Sequence, residues 1–200
     1  LRMSGDIHVR PVEAPPAPHD RLLLTLDDDL RLAFNDTRKF GRAWLLADPA
    51  PVLGGLGPEP FDPALTPAVF YQALHGRRRQ LKPLLLDQTF IAGLGNIYTD
   101  EALHRAGLHP LTQASTVSEA QAALLLAGIR AVLEAGIRSN GASIDWVYRG
   151  GGFQNHFQVY QRAGEPCTRC GAPVRRILVG QRASHFCPVC QGEEGIQVYR

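Results

Sequence analysis

Apolar and polar positions follow two periods along the chain. Three short β-type runs come first, Leu22-Leu23-Leu24-Thr25-Leu26, Leu30-Arg31-Leu32-Ala33-Phe34 and Ala43-Trp44-Leu45-Leu46. The acidic turn Asp27-Asp28-Asp29 between the first two predicts an antiparallel hairpin. A Pro/Gly-rich stretch, Asp48-Pro49-Ala50-Pro51 through Gly57-Pro58-Glu59-Pro60, then reads as an interdomain linker. From Thr66 to about Tyr148 the pattern is helical. One helix opens at Asn96-Ile97-Tyr98-Thr99-Asp100-Glu101-Ala102-Leu103 and stops at Gly107, with Pro110 just beyond. Another begins at Ser118-Glu119-Ala120-Gln121, a capping-box pattern. It carries Ala122, Leu125, Leu126, Ile129, Val132 and Leu133 at helical spacing, which is core packing. The β signal returns around Phe157-Gln158-Val159-Tyr160 and Ile177-Leu178-Val179. No internal repeat is evident.

A hairpin or three-stranded fragment leaves an apolar face uncovered. The chain also starts at Leu1 without an initiator methionine, so a truncated chain is expected. The 44% hydrophobic content is ordinary for a globular protein. No uninterrupted apolar run approaches the ~18 residues of a bilayer span, so the expectation is a soluble protein with no membrane partner.

The four cysteines change the picture. Cys167-Thr-Arg-Cys170 and Cys187-Pro-Val-Cys190 are two Cys-x-x-Cys pairs separated by sixteen residues. Two such knuckles joined by a short hairpin supply four soft ligands at one point, the pattern of a structural zinc ribbon. Disulfides are the alternative, but paired knuckles are unusual for them and no secretory signal precedes them. The expected cofactor is one structural Zn2+. Four thiolates and the ion bring the formal charge of +2 to about zero, so charge distribution matters more than its total. Between Gln161 and Cys190 there are five arginines (Arg162, Arg169, Arg175, Arg176, Arg182) against the single acid Glu165. Arg77-Arg78-Arg79 with Lys82 and His75 forms a second basic cluster. Either cluster alone fits a solvated face equally well; together on a neutral protein they suit a phosphate track. Gly93-Leu94-Gly95-Asn96 at a helix start offers free N–H groups and a side-chain donor to an anion. A plain tight interhelical turn is the simpler reading of the glycines. Gln181-Arg182 lies midway between the cysteine pairs, at the tip of the predicted hairpin.

Taken together, these residues resemble the formamidopyrimidine-DNA glycosylase family of bacterial base-excision repair enzymes. The resemblance runs over nearly the whole chain: Met3-Ser4-Gly5, His19-Asp20, Asn35-Asp36-Thr37-Arg38-Lys39-Phe40-Gly41, Leu56-Gly57-Pro58-Glu59-Pro60, Lys82-Pro83-Leu84-Leu85-Leu86-Asp87-Gln88, Gly93-Leu94-Gly95-Asn96-Ile97-Tyr98, Gln158-Val159-Tyr160 and Gln181-Arg182. It implies an α+β fold: a partial antiparallel β-sandwich lacking its N-terminal strands, a helix-two-turn-helix domain, and a C-terminal four-cysteine zinc-finger β-hairpin. The corresponding segments are 1–62 (sandwich remainder and linker), 63–153 (helix-two-turn-helix), 154–191 (zinc hairpin) and 192–200 (tail). The implied activity is excision of oxidised purines (8-oxoguanine, formamidopyrimidines) with strand nicking by β,δ-elimination, in a monomeric, cytoplasmic, nucleoid-associated protein acting on damaged double-stranded DNA.

By the same resemblance, His19, Arg38, Lys39, Arg77, Arg78, Lys82, Gly95, Asn96 and Arg182 contact DNA, and Met3, Arg38 and Phe40 fill the void left by the everted base. A flexible Met, a planar Arg and an aromatic wedge suit that gap. Cys167, Cys170, Cys187 and Cys190 are the zinc ligands, and Arg182 is also associated with δ-elimination. The family attacks the sugar C1′ with an N-terminal proline amine followed by a glutamate, and later uses a hairpin lysine. None of the three is matched here, so the 200 residues are expected to bind DNA without glycosylase chemistry. The segment Arg149-Gly150-Gly151-Gly152 is also shorter than the family's lesion-capping loop. The alternatives are the endonuclease VIII-like branch, which prefers oxidised pyrimidines, and a non-catalytic zinc-dependent DNA-binding module. A zinc-ribbon RNA or ribosomal partner would explain the cysteines but not the other motifs.

Overall fold

The computed structural model describes residues 1, 5–27, 29–143 and 150–192. They divide into two compact units, one of residues 1–48 and 142–151, the other of 49–141 and 152 onward. The fold is α+β, with antiparallel strands at both ends of a helical region.

The first unit is built on a three-stranded antiparallel sheet in the order β1-β3-β2, with β1 Gly5–Pro11, β2 Asp20–Thr25 and β3 Leu30–Asp36. The predicted hairpin is present: Leu26 N–H donates to Leu30 O at 2.8 Å, and Asp29 takes a left-handed φ of 55°. β1 alternates Ile7-His8-Val9-Arg10, a period-two pattern that the sequence reading passed over. Its register opposite β3 sets Ile7 beside Phe34 and Val9 beside Leu32, on one apolar face shared with Leu22 and Leu24. Ile7, Val9, Leu24 and Leu30 remain exposed there, as expected for a sheet of this size. The run Ala43-Leu46 is not a strand. Its backbone has no ladder partner among the described residues, and Trp44, Leu45 and Leu46 are exposed.

In the second unit, the stretch read as a linker is partly structured. It forms the short helix α1, Ala50–Leu53. Beyond it, Gly57 N–H donates to Gln88 O at 2.8 Å, and Ala92 N–H donates to Pro58 O at 3.0 Å. A side chain at Gly57 would strike the backbone of Thr89 and Phe90, so the glycine allows this close approach. Helix α2 spans Pro67–His75, α3 Leu81–Leu85, α4 Asn96–Ala106 and α5 Glu119–Arg138. The capping box at Ser118 and Gln121 is formed in both directions, worth about 1 kcal/mol to the helix start. Helix α4 ends at Gly107, whose φ of 70° is the left-handed C-cap that a glycine supplies without strain.

By length and a mean hydropathy of 1.5, α5 would suffice to cross a membrane, which counting uninterrupted apolar residues had missed. Its apolar stripe is already occupied. Ala122, Leu125, Leu126, Ile129 and Val132 are buried, and α5 packs on α2 and α4. Arg130 on the same helix donates to the carbonyls of Pro60 and Leu65 at 2.7 and 2.8 Å.

The last two strands among the described residues form a hairpin, β4 Arg175–Val179 and β5 Arg182–Phe186. The tip residues Gly180 and Gln181 both have positive φ (54° and 65°), the geometry of a two-residue type I′ turn. The segment 157–160, expected to be β, is irregular. The amides of Gln158, Val159 and Tyr160 serve a side chain instead of a ladder, as described below.

Candidate nucleic-acid interface and metal centre

In the first unit a fully buried carboxylate shapes the loop after β3. Asp36 Oδ1 accepts from Arg38 N–H at 3.2 Å and Oδ2 from Gly41 N–H at 2.7 Å. Gly41 lies against the Phe34 ring, where any side chain would collide. Lys39 sits at φ 60°, turning the loop sharply outward. Phe40 is 58% exposed, with the Arg38 guanidinium 5.5 Å from its ring centroid. A surface cation–π pair of this kind is worth about 0.5–1 kcal/mol, enough to bias the two side chains without burying them. His19 is exposed, and its ring Nδ1 lies 3.3 Å from Arg21 Nη2. Met3 falls outside the described residues, as does Arg149 of the short glycine-rich loop.

In the second unit two turns separate α3 from α4. Gln88 holds them: its Oε1 accepts from Gly93 N–H and its Nε2 donates to Leu94 O, both at 2.9 Å. Gly93 has φ 82°, and a Cβ at Gly95 would meet open space, so the turn presents bare backbone. The first helical bond of α4 runs from Thr99 N–H to Gly95 O, leaving the earlier N–H groups at the positive end of the helix. Asn96 Nδ2 donates to Ala183 O of β5 at 3.1 Å. This bond sets the turn beside Arg182, the exposed first residue of β5. The structure therefore brings together two residues, Asn96 and Arg182, that are 86 positions apart in sequence.

Lys82 requires a correction. It is fully buried, and its ammonium pairs with Asp100 and donates to Asn96 O at 3.4 Å. Burial pushes the ammonium below the ordinary lysine range, the Asp100 carboxylate pulls it back up, and the Arg182 charge lowers it again. An ammonium sealed in this way supports the turn from beneath and offers no surface charge to a phosphate. Arg77 and Arg78 are exposed, whereas Arg79 is tied to Asp87 Oδ2 at 2.7 Å and to Pro83 O.

Asp87 is held at about 2 by hydrogen bonds from the Thr89 hydroxyl, Arg79 and the Thr89 amide. Because its folded value is below the unfolded 3.8, its contribution is complete above pH 3.8 and is lost as pH falls towards 2. Denaturant titrations between pH 5 and pH 2 are expected to show Asp87→Asn losing less stability than the native chain over that window. Parallel curves would rule this out.

Several residues that shape this site were not singled out in the sequence. Asp100 and Glu101 are adjacent on α4, about 100° apart around the helix, so they face different neighbours. Asp100 also accepts from Ser184 Oγ and His185 N–H, both at 2.9 Å. Glu101 accepts from the backbone N–H groups of Gln158, Val159 and Tyr160 at 2.9–3.1 Å, which is why those residues form no strand. Gln191 links Cys187 N–H to Leu108 O, at 2.8 Å on each side. The available signal was a pair of acids in the middle of a helix, where a solvated face would be the ordinary reading.

The four cysteine sulfurs lie within 4.8 Å of one another. Four thiolates around one Zn2+ at about 2.3 Å stand about 3.8 Å apart, and the Cys170–Cys187 and Cys167–Cys190 separations of 3.4 and 3.9 Å bracket that value. Arg169 N–H points at Cys167 Sγ and Cys190 N–H at Cys187 Sγ, each at 3.4 Å, the amide pattern of two knuckles. Burial, reinforced by the neighbouring thiols, pushes Cys190 up to about 12, so this crowded set needs a cation before all four can ionise. His104 Nε2 lies 3.4 Å from Cys167 Sγ. Burial and then the Arg169 and Arg162 charges hold this imidazole at about 4, neutral, which suits an outer partner to a thiolate. The donor set fits a structural zinc ion with every position filled by protein.

Residues 56–147 match the formamidopyrimidine-DNA glycosylase H2TH domain, residues 1–43 match the N-terminal domain of the same enzymes, and residues 164–192 match a zinc finger found in FPG and IleRS. The chain is 49% identical over 198 residues to the formamidopyrimidine-DNA glycosylase of Roseiflexus sp. (strain RS-1), covering 96% of this chain and 72% of that protein. It belongs to the formamidopyrimidine-DNA glycosylase family. The Protochlamydia amoebophila enzyme is 40% identical over the same shares of the two chains. Among solved structures, Lactococcus lactis Fpg in complex with abasic-site DNA matches with a TM-score of 0.85 at 37% identity, covering 96% of this chain and 73% of that one. MutM in complex with DNA containing carbocyclic 8-oxo-G matches with a TM-score of 0.85 at 38% identity, over the same shares. As a member of this family the chain is a DNA-repair glycosylase with one structural Zn2+, held by Cys167, Cys170, Cys187 and Cys190.

Proposed function

We propose that this member of the formamidopyrimidine-DNA glycosylase family acts on oxidised purines in double-stranded DNA and nicks the strand by β,δ-elimination, and that the 200 residues carry its grip on the damaged strand. The observation that carries the reading is the joining of Asn96 to β5 beside Arg182. A helix start with free N–H groups, an amide side chain and a guanidinium meet on one edge of the second unit. Bare N–H groups and a forked cation at fixed spacing suit consecutive phosphates, and a metal-anchored hairpin keeps the cation in place. The exposed Arg38 and Phe40 supply, on the first unit, the planar and aromatic groups that an emptied base position would take. We assign these 200 residues the binding share of the reaction, because the groups that meet at Asn96 and Arg182 suit phosphates.

The test is a fluorescence-anisotropy titration of an abasic-site duplex and its undamaged counterpart, run at several salt concentrations. Preference for the abasic duplex is expected, with Arg182→Ala weakening it and lowering the salt slope by about one. Borohydride treatment of the complex is expected to trap no covalent adduct on these residues. Equal affinity for the two duplexes, or an unchanged slope in Arg182→Ala, would overturn the reading. Competition with duplexes carrying 8-oxoguanine or an oxidised pyrimidine separates the purine branch from its endonuclease VIII-like sister.

A further inference from the structure

The buried charges behind the phosphate edge have a geometry that a plain stability role does not require. Asp100 is 1% exposed and joins its own helix α4 to two other elements, α3 and β5. From α4 it takes the Lys82 ammonium of α3 on Oδ1, together with the Ser184 hydroxyl of β5. Its Oδ2 takes the next β5 amide, His185 N–H, with the His185 ring Nδ1 at 3.3 Å. Lys82 reaches on to the carbonyl of Asn96, the first residue of α4. One carboxylate thus fixes β5 two residues beyond Arg182, and its ion-pair partner fixes the glycine turn at Asn96.

We propose that Asp100 is a positioning residue for DNA binding: with Lys82 and Ser184 it sets the spacing between the Asn96 turn and the Arg182 guanidinium, so that both meet the damaged strand together. This rests on the reading that Arg182 contacts a phosphate. A hairpin tip is otherwise free to swing on its two strands, because a two-stranded ribbon has little stiffness of its own. The zinc ion secures the far end of the hairpin, where Cys187 follows β5; Asp100 secures the middle of that strand at Ser184 and His185, and Asn96 secures the end that carries the arginine through Ala183 O. The groups facing Asp100 are Lys82, Ser184 and His185, so its second oxygen is committed to the strand and its first is shared between the lysine and the hydroxyl. Both phosphate-facing groups are then referred to one rigid helix, which is how a binding edge is held to sub-ångström tolerance.

The experiment is a double-mutant cycle on abasic-duplex affinity in the 200-residue protein, with zinc content measured for every variant. In the native background Arg182→Ala is expected to weaken binding about tenfold and to lower the salt slope by about one. In an Asp100→Asn background the same Arg182→Ala step is expected to cost less than about twofold and to leave the slope unchanged, because the arginine is already displaced. Loss of fold stability alone would not move that ratio at a temperature where every variant is folded. Where Asp100→Asn does not fold, Ser184→Ala serves in its place, deleting one hydroxyl while keeping the Lys82 pair; there the Arg182→Ala step is expected to fall to about fourfold. An Arg182→Ala cost equal to the native one in whichever background folds would overturn the proposal. An Arg182→Ala substitution without effect in the native background would instead overturn the phosphate reading beneath it.

Discussion

Stripping the metal from the four-cysteine centre, or replacing Cys187 by serine, is expected to weaken binding to abasic-site DNA by on the order of a hundredfold while α2, α4 and α5 stay folded. Structural zinc sites contribute about 10–16 kcal/mol of apparent binding free energy, and in a small ribbon that energy is folding energy. Here the ribbon's own core is a small cluster of Val159, Val174, Cys167 and Cys187, with only Ala172 and Cys190 packed against it. Without the ion, crowded thiols such as Cys190 protonate, the knuckles open, and β4–β5 is left as an isolated hairpin that is marginal in water. Arg182 then has no fixed position, and affinity is expected to fall by on the order of a hundredfold as its phosphate contact and its neighbours' are lost. Zinc quantification, amide NMR of residues 175–186 and anisotropy on one chelated sample check the three parts together. Native hairpin signals after verified metal loss would contradict the account. The helices survive because their core of Phe70, Leu74, Leu103, Leu125, Leu126 and Ile129 is separate from the ribbon's own cluster.

The second large effect belongs to Glu101. Its carboxylate is 3% exposed and gathers three consecutive backbone N–H groups. Burial pushes its carboxyl above the usual range, and those amides pull it back. Glu101→Ala leaves three donors without their acceptor, at about 1–3 kcal/mol each before relaxation. With water entering, a net loss of about 3–5 kcal/mol is expected, a large part of the 5–15 kcal/mol typical of a domain. Glu101→Gln keeps one acceptor but turns an NH2 group towards a backbone donor, so about half that loss is expected. Urea unfolding followed by tryptophan-independent far-UV CD measures both; a loss below about 1 kcal/mol in Glu101→Ala would mean that water replaces the carboxylate without cost.

What the sequence revealed and what it concealed divide along the range of the interaction. The capping box at Ser118, the stop at Gly107 and the hairpin tip, expected at Gln181-Arg182 and found one residue earlier at Gly180-Gln181, were legible, because each is decided by residues within a few positions. The cysteines were legible because metal ligation fixes type and spacing together. The misreadings were cases in which a distant partner decides. Ala43-Leu46 has a strand's composition but lacks a neighbour to pair with among the described residues. Phe157–Tyr160 has the composition too, but the amides of its last three residues belong to Glu101, over fifty positions earlier. Lys82 read as one more basic residue in a cluster, and only the fold shows that Asp100, 18 positions on, has taken its charge inside. For the DNA-contact set, sequence supplied the residue types; the fold separated exposed Arg77 and Arg78 from sealed Lys82.

The adjacency of Asp100 and Glu101 restricts how α4 can change length. The two acids point about 100° apart, and each engages a separate segment of the zinc ribbon, so the helix works like a key with two teeth. Inserting or deleting one residue between Asn96 and Asp100 would rotate both teeth away from their slots and shift them by about 1.5 Å along the axis. No single side-chain substitution elsewhere could restore both at once. The four positions from Asn96 to Thr99 are therefore closed to length variation, while the segment after Gly107, beyond both teeth, is free of that particular constraint.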